Sequence, residues 1–428
     1  MMSGSESIPG GLGPQTLYGL PEKVVFCKIC VISNQRPNSA VEFEHSKESV
    51  KKTIAFDENG ICDACQFAIR KSNEIDWSQR ESELYELASK YKGFPGKYNC
   101  IVPGSGGKDS FFQSHILKYK YGFRPLTVTW APHEYTKWGW ENFQSWIHSG
   151  FDNLLTTPNG QVHRLLTRLA VENLFHPFQP FMLGQKGMAP KLAILHEIPL
   201  IFYGENEAEY GNPIADSNSS IRDTQYFSSE SDKNTLLSGV PISELVERYG
   251  IERYELQQYL PAEVDKLKKA KISVHYLGYY LKWHPQSAYY YAVEHGGFKP
   301  SPERTPGTYS KYNSIDDKID DLHYWTTFIK FGLGRATYDA AQEIRSNEIS
   351  REEGVALVKR FDGEWPARFE EDLMRYLSID ERLGSKVLSQ FTNPVMTKEL
   401  FLSLADDFRS PHLWQKLGDS WKLRHQVS

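Results

Sequence analysis

The chain has 428 residues, 40% of them hydrophobic and 24% charged, with a formal net charge of −5. That length calls for two or three cores, since a single core stops growing near ~250–300 residues. No apolar stretch approaches the about 18 residues that cross a bilayer, and the negative balance excludes a large non-specific nucleic-acid surface while leaving local basic patches open. Residues 1–22 are rich in Gly, Ser and Pro and lack the apolar centre of a signal peptide, which predicts a flexible tail and a cytoplasmic protein. Aromatic residues reach 13% and gather in the second half, where they serve packing or stacking on sugars and bases.

Residues 23–72 form the first expected unit. Cys27 and Cys30 make one CxxC pair and Cys62 and Cys65 another, with thirty-one residues between them. Two such knuckles complete a tetrahedral thiolate site for Zn2+, as in zinc-ribbon modules, with no coordination position left for substrate. An iron–sulfur cluster would use the same ligands, and a redox dithiol would need only one pair. Cys100, the fifth cysteine, reads as a small core residue.

Residues 73–230 alternate between strands and helices. A linking helix over Glu74–Tyr91 precedes strands at Cys100–Val102, Leu126–Trp130, Asn153–Thr156 and Pro199–Tyr203. Helix-length segments between them predict an open, doubly wound parallel α/β sheet, whose ligands bind beyond the carboxyl ends of the strands. The run Pro103-Gly104-Ser105-Gly106-Gly107-Lys108-Asp109-Ser110 follows the first strand and opens a helix. Its glycines let backbone N–H groups turn toward an anion, and the helix adds its positive end, so phosphate is the expected guest. The spacing is not that of GxxxxGK[ST]. Other strand ends supply His133, Glu205 and Asn206, and Lys186 is placed in a glycine-flanked loop as a second phosphate contact.

Residues 231–428 read as mainly helical, a substrate or cap region. Asp316, Asp317, Asp320 and Asp321, followed by His323, make one acidic helix face for Mg2+ or acid–base work. A capping box from Ser314 to Asp317 explains part of that density. Gly296–Thr308 reads as a loop able to close over substrate. Asp316, Asp317, Asp320 and His323 are expected to face the glycine loop, with Tyr309 and Lys311 nearby.

The glycine loop resembles the SGGxDS loop of the N-type ATP pyrophosphatases, which implies a fold of the adenine nucleotide alpha-hydrolase (PP-loop) type. The strings CKIC, CDAC, PGSGGKDS, LTVTWAPH, GFDNLLTTPNG, PFQPFMLGQKG, PLIFYGENEAEYGN, KYNSIDDKIDDLHYWTTFIKFGLGRATYDAAQEIR and REEGVALVKRFDGEWP resemble the N-acetyl sugar amidotransferases of the WbpG and PseA type. That family belongs to lipopolysaccharide O-antigen and nonulosonic acid or flagellin-sugar biosynthesis. The resemblance implies conversion of an acetamido group on a sugar or nucleotide sugar into an acetamidino group, with ATP and Mg2+, through an adenylylated oxygen, releasing AMP and pyrophosphate. It also implies ammonia from glutaminase and synthase-like subunits resembling those of imidazole glycerol phosphate synthase. No membrane or nucleic-acid partner is expected. In that reading the loop from Pro103 to Ser110 and His133 hold ATP and pyrophosphate. Asp109 helps bind Mg2+, and Lys108 and Lys186 neutralise developing charge. Glu205 orients or deprotonates ammonia beside Asn206, while Tyr309, Lys311, Asp316, Asp317, Asp320 and His323 meet substrate or Mg2+. Two alternatives stay open, a tRNA-thiolating enzyme, which needs a cysteine at the ATP site, and a non-catalytic scaffold organised by zinc.

Overall fold

The structure, a computed structural model, describes residues 15–213, 217–379 and 396–428. Its centre is a five-stranded parallel sheet of β1 (Cys100–Pro103), β2 (Pro125–Trp130), β3 (Asn153–Thr156), β4 (Leu200–Tyr203) and β5 (Ser273–Tyr276), in the order β3-β2-β1-β4-β5. In register, Ile101 lies beside Leu126 on one flank and Ile201 on the other. Strand side chains alternate between faces, and the packing obeys that. Cys100, Val102, Leu200 and Phe202 share a core with Leu84, Leu117 and Phe123, whereas Ile101, Leu126, Val128 and Ile201 share another with Leu165, Leu169 and Leu183.

Those partners come from helices on opposite faces, which makes the sheet doubly wound. Helices α1 (Asp63–Asn73), α2 (Trp77–Tyr91), α3 (Lys108–Tyr119), α4 (Lys137–His148), α5 (Gly160–Leu174) and α6 (Gln179–Leu195) appear in chain order. Asp76 caps α2 by accepting from the Gln79 N–H, so the linking helix expected over Glu74–Tyr91 starts only at Trp77, after a turn that follows the end of α1 at Asn73. Lys186, placed in a loop by its flanking glycines, lies within α6 instead. Gly184 is there for contact rather than for a turn, since a Cβ would sit 2.2 Å from the Trp130 indole.

β5 is the strand of the central sheet that sequence reasoning missed, because it lies in the half read as helical. Ser273–Tyr276 is too short to show a period, yet it pairs with β4 from Leu200↔Ser273 to Tyr203↔Tyr276. Beyond it the helical reading holds for Pro285–Gly296, Asp320–Phe331, Arg335–Arg345 and Arg351–Phe361, the last with a capping box from Ser350 to Glu353. A hairpin of Trp414–Leu417 and Ser420–Leu423 follows near the end.

Three further expectations are corrected. The tail 1–22 is anchored in part: Tyr18 donates to the Phe408 carbonyl at 2.9 Å and Leu20 is buried, while residues 1–14 lie outside the described residues. The segment Gly296–Thr308 is tied down, with Ser301, Thr305 and Thr308 buried and Arg304 held by Glu364 through two bonds of 2.6 and 2.7 Å. Ser314 caps nothing; it has φ of +55°, and the helix it was to open starts at Asp320 behind Ile319. No helix among the described residues is long and apolar enough to cross a membrane.

The Gly184 contact gives a stability test. Gly184→Ala forces a methyl into the Trp130 ring in a close-packed core and should cost roughly 1–3 kcal/mol, read from the urea midpoint at unchanged m-value.

Candidate functional site

Strand order decides where a ligand can sit. The chain leaves β1 toward α3 on one face and reaches β4 from α6 on the other, so the crevice between the ends of β1 and β4 is the switch point of the sheet. The glycine loop leaves β1 there, and Gly204-Glu205-Asn206 leaves β4 beside it.

Within the loop the glycines do different work. Gly106 has φ of +87°, and a Cβ would lie 2.7 Å from Phe143 Cα, so this glycine is required by the fold itself. Gly104 is pressed against Ser110, where a Cβ would fall 2.2 Å from the Ser110 Cβ. Gly107 differs. It caps α3 with φ of −65°, and a Cβ would meet nothing nearer than the Ser105 hydroxyl at 3.7 Å. A side chain there would fill only open space before the helix N-terminus, the space a phosphate needs. Ser110 braces the loop, accepting from the Gly106 N–H at 3.2 Å and donating to the Gly107 carbonyl at 3.0 Å.

Two cavities meet at this loop. One, of about 180 Å³, lies between Ser105–Asp109 and Tyr312–Asp316 and is bounded also by Asn142, Phe298 and Arg335. The other, of about 450 Å³, runs from Lys108 and Asp109 past Glu205, Tyr210 and Lys186 to His176, His323, Lys330 and Arg345. Lys108, Asp109, Asn313 and Arg335 line both. At the junction Lys108 Nζ is 2.6 Å from Asp109 Oδ2, while Asp109 Oδ1 is buried with no hydrogen-bond partner. Such an oxygen is where a cation or a donor from a ligand fits.

Glu205 faces the same junction. Burial, followed by the nearby Asp109 charge, pushes its carboxyl up to about 7, and Tyr210 donates a hydrogen bond to it. Asn206 turns to another task, accepting from the Ala208 N–H at 2.9 Å as the cap of a short 3-10 helix, with its Nδ2 buried and unpartnered.

The acidic run divides, because Asp316 and Asp317 precede the helix and do not share its face with Asp320 and Asp321. Asp316 reaches the loop, lines the smaller cavity and takes a hydrogen bond from Ser105, while burial raises its carboxyl. It is held there by backbone bonds from the Thr136 N–H to the Asp316 carbonyl at 3.1 Å and from the Lys318 N–H to the Glu134 carbonyl at 3.0 Å. Asp317 points away, receiving the His133 backbone N–H at 2.7 Å and the His133 ring Nδ1 at 2.7 Å. His133 therefore lines neither cavity; it stacks on His163 at 4.8 Å inside the protein. Asp320 lies beside Arg335, its carboxyl pushed up to about 8 mainly by burial, and Asp321 pairs with Arg368 at 2.8 Å. His323 reaches the larger cavity stacked on His176 at 5.0 Å, and burial depresses its pKa to about 3. Tyr309 and Lys311 fall outside this junction, on a separate cavity of about 300 Å³ with Tyr289, Tyr290 and Glu343. Spacing gave no signal for Arg36, Lys51, Lys330 or Arg345, which the fold brings to the larger cavity from distant segments.

The four cysteines converge as expected. Their sulfurs lie within 4.8 Å of one another, with Cys27–Cys65 at 3.8 Å and Cys30–Cys62 at 3.7 Å, all buried. Zn–S bonds of ~2.3 Å give a tetrahedron with edges of about 3.8 Å, so the donor set fits zinc. The Ile29 and Cys62 N–H groups, each 3.4 Å from Cys27 Sγ, and Arg345 at 4.0 Å from Cys30 Sγ would offset the thiolate charge.

Fold and site thus define a doubly wound α/β protein with a glycine-loop cavity at its switch point and a tetra-cysteine centre. Residues 306–427 match the family model described as the C-terminal domain of WbpG-like lipopolysaccharide biosynthesis proteins. This match points to lipopolysaccharide biosynthesis, and its segment supplies Asn313, Asp316, His323, Lys330, Arg335 and Arg345 to the two cavities. The chain is also 31% identical over 102 residues to an uncharacterised protein, MJ1599, of Methanocaldococcus jannaschii. That alignment covers 24% of this chain and 31% of the relative, so the chain spans about a third of the relative's length.

Two measurements follow. Purified protein should carry one zinc per chain by elemental analysis, and Cys27→Ser should lose the metal. Its thermal transition should fall accordingly, since a structural zinc contributes up to ~10–16 kcal/mol of apparent binding energy. Glu205 gives the second. An acid whose pKa is higher folded than unfolded favours folding while protonated, so stability declines as pH rises from the ordinary glutamate range through about 7. Glu205→Gln should lack that contribution, a difference of roughly 3 kcal/mol in the stability change accumulated between pH 4 and pH 8, read by urea denaturation.

Proposed function

We propose that this chain is an ATP-dependent, AMP-forming amidotransferase that turns the acetamido group of a sugar or nucleotide sugar into an acetamidino group during surface-polysaccharide biosynthesis in the cytoplasm. The observation that carries the reading is the meeting of two cavities at Lys108 and Asp109, one closed over the glycine loop and the other large enough for a sugar. An amide oxygen is a poor leaving group, and ATP supplies the chemistry that makes it a good one by giving it AMP. The chain's own part is to hold pyrophosphate and to present the nitrogen nucleophile. The open face at Gly107, the α3 N-terminus and Lys108 suit the first task. Asp109, with its unpartnered oxygen, suits Mg2+.

Glu205 suits the second task. With a pKa near 7 it is partly ionised at neutral pH, the condition for a group that takes a proton from ammonia as the C–N bond forms. Lys186 lines the sugar-sized cavity and not the loop cavity, so we assign it to the acceptor side and not to pyrophosphate. None of the five cysteines lines either cavity, and Cys100 is wholly buried in β1, which counts against thiolation. It also counts against glutamine hydrolysis by this chain, which needs an accessible nucleophile. Ammonia then comes from a partner glutaminase.

With ammonium and an N-acetylated nucleotide sugar, the purified chain should convert ATP to AMP and pyrophosphate, and glutamine should not replace ammonium until a glutaminase is added. Gly107→Val should lower turnover by at least about 100-fold, as expected when close phosphate approach is blocked, with the thermal transition retained. Formation of ADP and phosphate would overturn the reading.

A further inference from the structure

The larger cavity is walled in part by the cysteine module, through Arg36 and Lys51, and there it gathers more positive charge than it balances. Lys51 comes from that module, Lys186 from α6 and Lys330 from the helix Asp320–Phe331. Among the described residues none of these three has a carboxylate within ion-pair distance; Lys330 donates only to the Leu174 carbonyl, at 2.7 Å. Arg36, also buried on this wall, donates to the Pro37 carbonyl at 3.1 Å. The carboxylate whose charge acts on all three lysines is Glu42, engaged with His45 at 3.0 Å; Glu207, which also acts on Lys186, is paired with Arg222 at 3.1 Å. Burial works against the Glu42 carboxylate, yet His45 and then Lys51 hold it well below the ordinary range, so it counts as one negative charge against three lysines. Two other cations of the cavity have carboxylate partners, Lys108 with Asp109 at 2.6 Å and Arg335 with Asp339 at 3.0 Å, while Arg345 donates to the Glu209 carbonyl at 3.1 Å.

Burial depresses all three lysines, Lys330 to about 7. Such a group of partly desolvated ammonium ions destabilises the empty protein, and an oxyanion seated among them would relieve it. The ligand chemistry follows from the donors. Three flexible point charges without a planar fork suit a phosphate or carboxylate without demanding bidentate geometry.

We propose that Lys51, Lys186 and Lys330 form an oxyanion subsite that selects acceptor sugars carrying a phosphate or carboxylate group, and that the cysteine module is thereby part of the acceptor site. The subsite rests on the assignment of the larger cavity to the acceptor sugar. It lies apart from the glycine loop, since none of the three lysines lines the loop cavity. Neutral N-acetylated sugars therefore bind weakly, whatever their fit.

Calorimetric titration of the metal-loaded full chain tests this with three probes: N-acetylglucosamine, its uridine diphosphate derivative and N-acetylglucosaminuronic acid. At least one anionic probe should bind roughly tenfold or more tightly than the neutral sugar, as charge-assisted contacts imply, and the tighter of the two identifies phosphate or carboxylate as the recognised group. Lys51→Gln and Lys330→Gln should each remove that advantage, Lys51→Arg should restore part of it, and ATP affinity should stay within about twofold because the loop is untouched. Lys330 is buried and its variant can lose stability, whereas Lys51 is partly exposed, so Lys51→Gln decides the matter alone. Equal affinity for all three probes, or anion affinity unchanged in Lys51→Gln, would overturn the subsite. Lysine-dependent anion binding in a chain that makes no AMP would retain the subsite and reject the amidotransferase reading.

Discussion

A short stitch of hydrogen bonds closes the smaller cavity over the glycine loop. The Thr136 N–H bonds the Asp316 carbonyl, the Lys318 N–H bonds the Glu134 carbonyl, and the Thr136 hydroxyl bonds Ile315. These bonds clamp the C-terminal segment onto the exit of β2, so residues 312–316 lie over the glycine loop and the following helices roof the carboxyl ends of the sheet. Gly139 permits the approach, for a Cβ there would sit 2.5 Å from Asp316 Cα. Without the stitch the loop would face open water, where an anion contact is worth far less than in a partly enclosed site.

Enclosure has a cost, and the protein bears it as shifted proton affinities. Burial drives the carboxyls of Glu205, Asp316 and Asp320 up and the amine of Lys330 down. Groups of opposite sign sit near one another without all being paired, an arrangement that favours a charged ligand over the empty state. By contrast His133–Asp317 at 2.7 Å and Asp321–Arg368 at 2.8 Å are close internal pairs, and they hold the elements that carry the site.

The cysteine centre contributes by position as well as by stability. Its cysteines share a core with Ala340, Ala341 and Ile344 of the helix Arg335–Arg345, and the same helix sends Asp339 and Arg345 into the larger cavity. Metal binding would therefore fix one wall of the cavity along with the module, which gives the four thiolates a reason to sit so close to the sheet.

How much of this the chain announces depends on the range of the interaction. Two CxxC pairs, four of the five strands and the strand–glycine–helix loop were legible because each rests on neighbours a few residues apart, where spacing alone constrains backbone and donor type. Gly106 carries its φ of +87° in its own identity. The acidic run misled because Asp316, Asp317, Asp320 and Asp321 look alike in order, while a helix start at Asp320 sends them to different partners. Likewise β5 and the buried role of His133 depend on partners far along the chain, Leu200–Tyr203 and Asp317. The lysines at 51, 186 and 330 carry no pattern at all. The sequence by itself determined which local chemistries exist, the thiolate knuckles and the anion loop. Only the tertiary structure decided which distant charges share one cavity, because burial and the unpaired state of a charge are properties of the assembled protein and not of any segment.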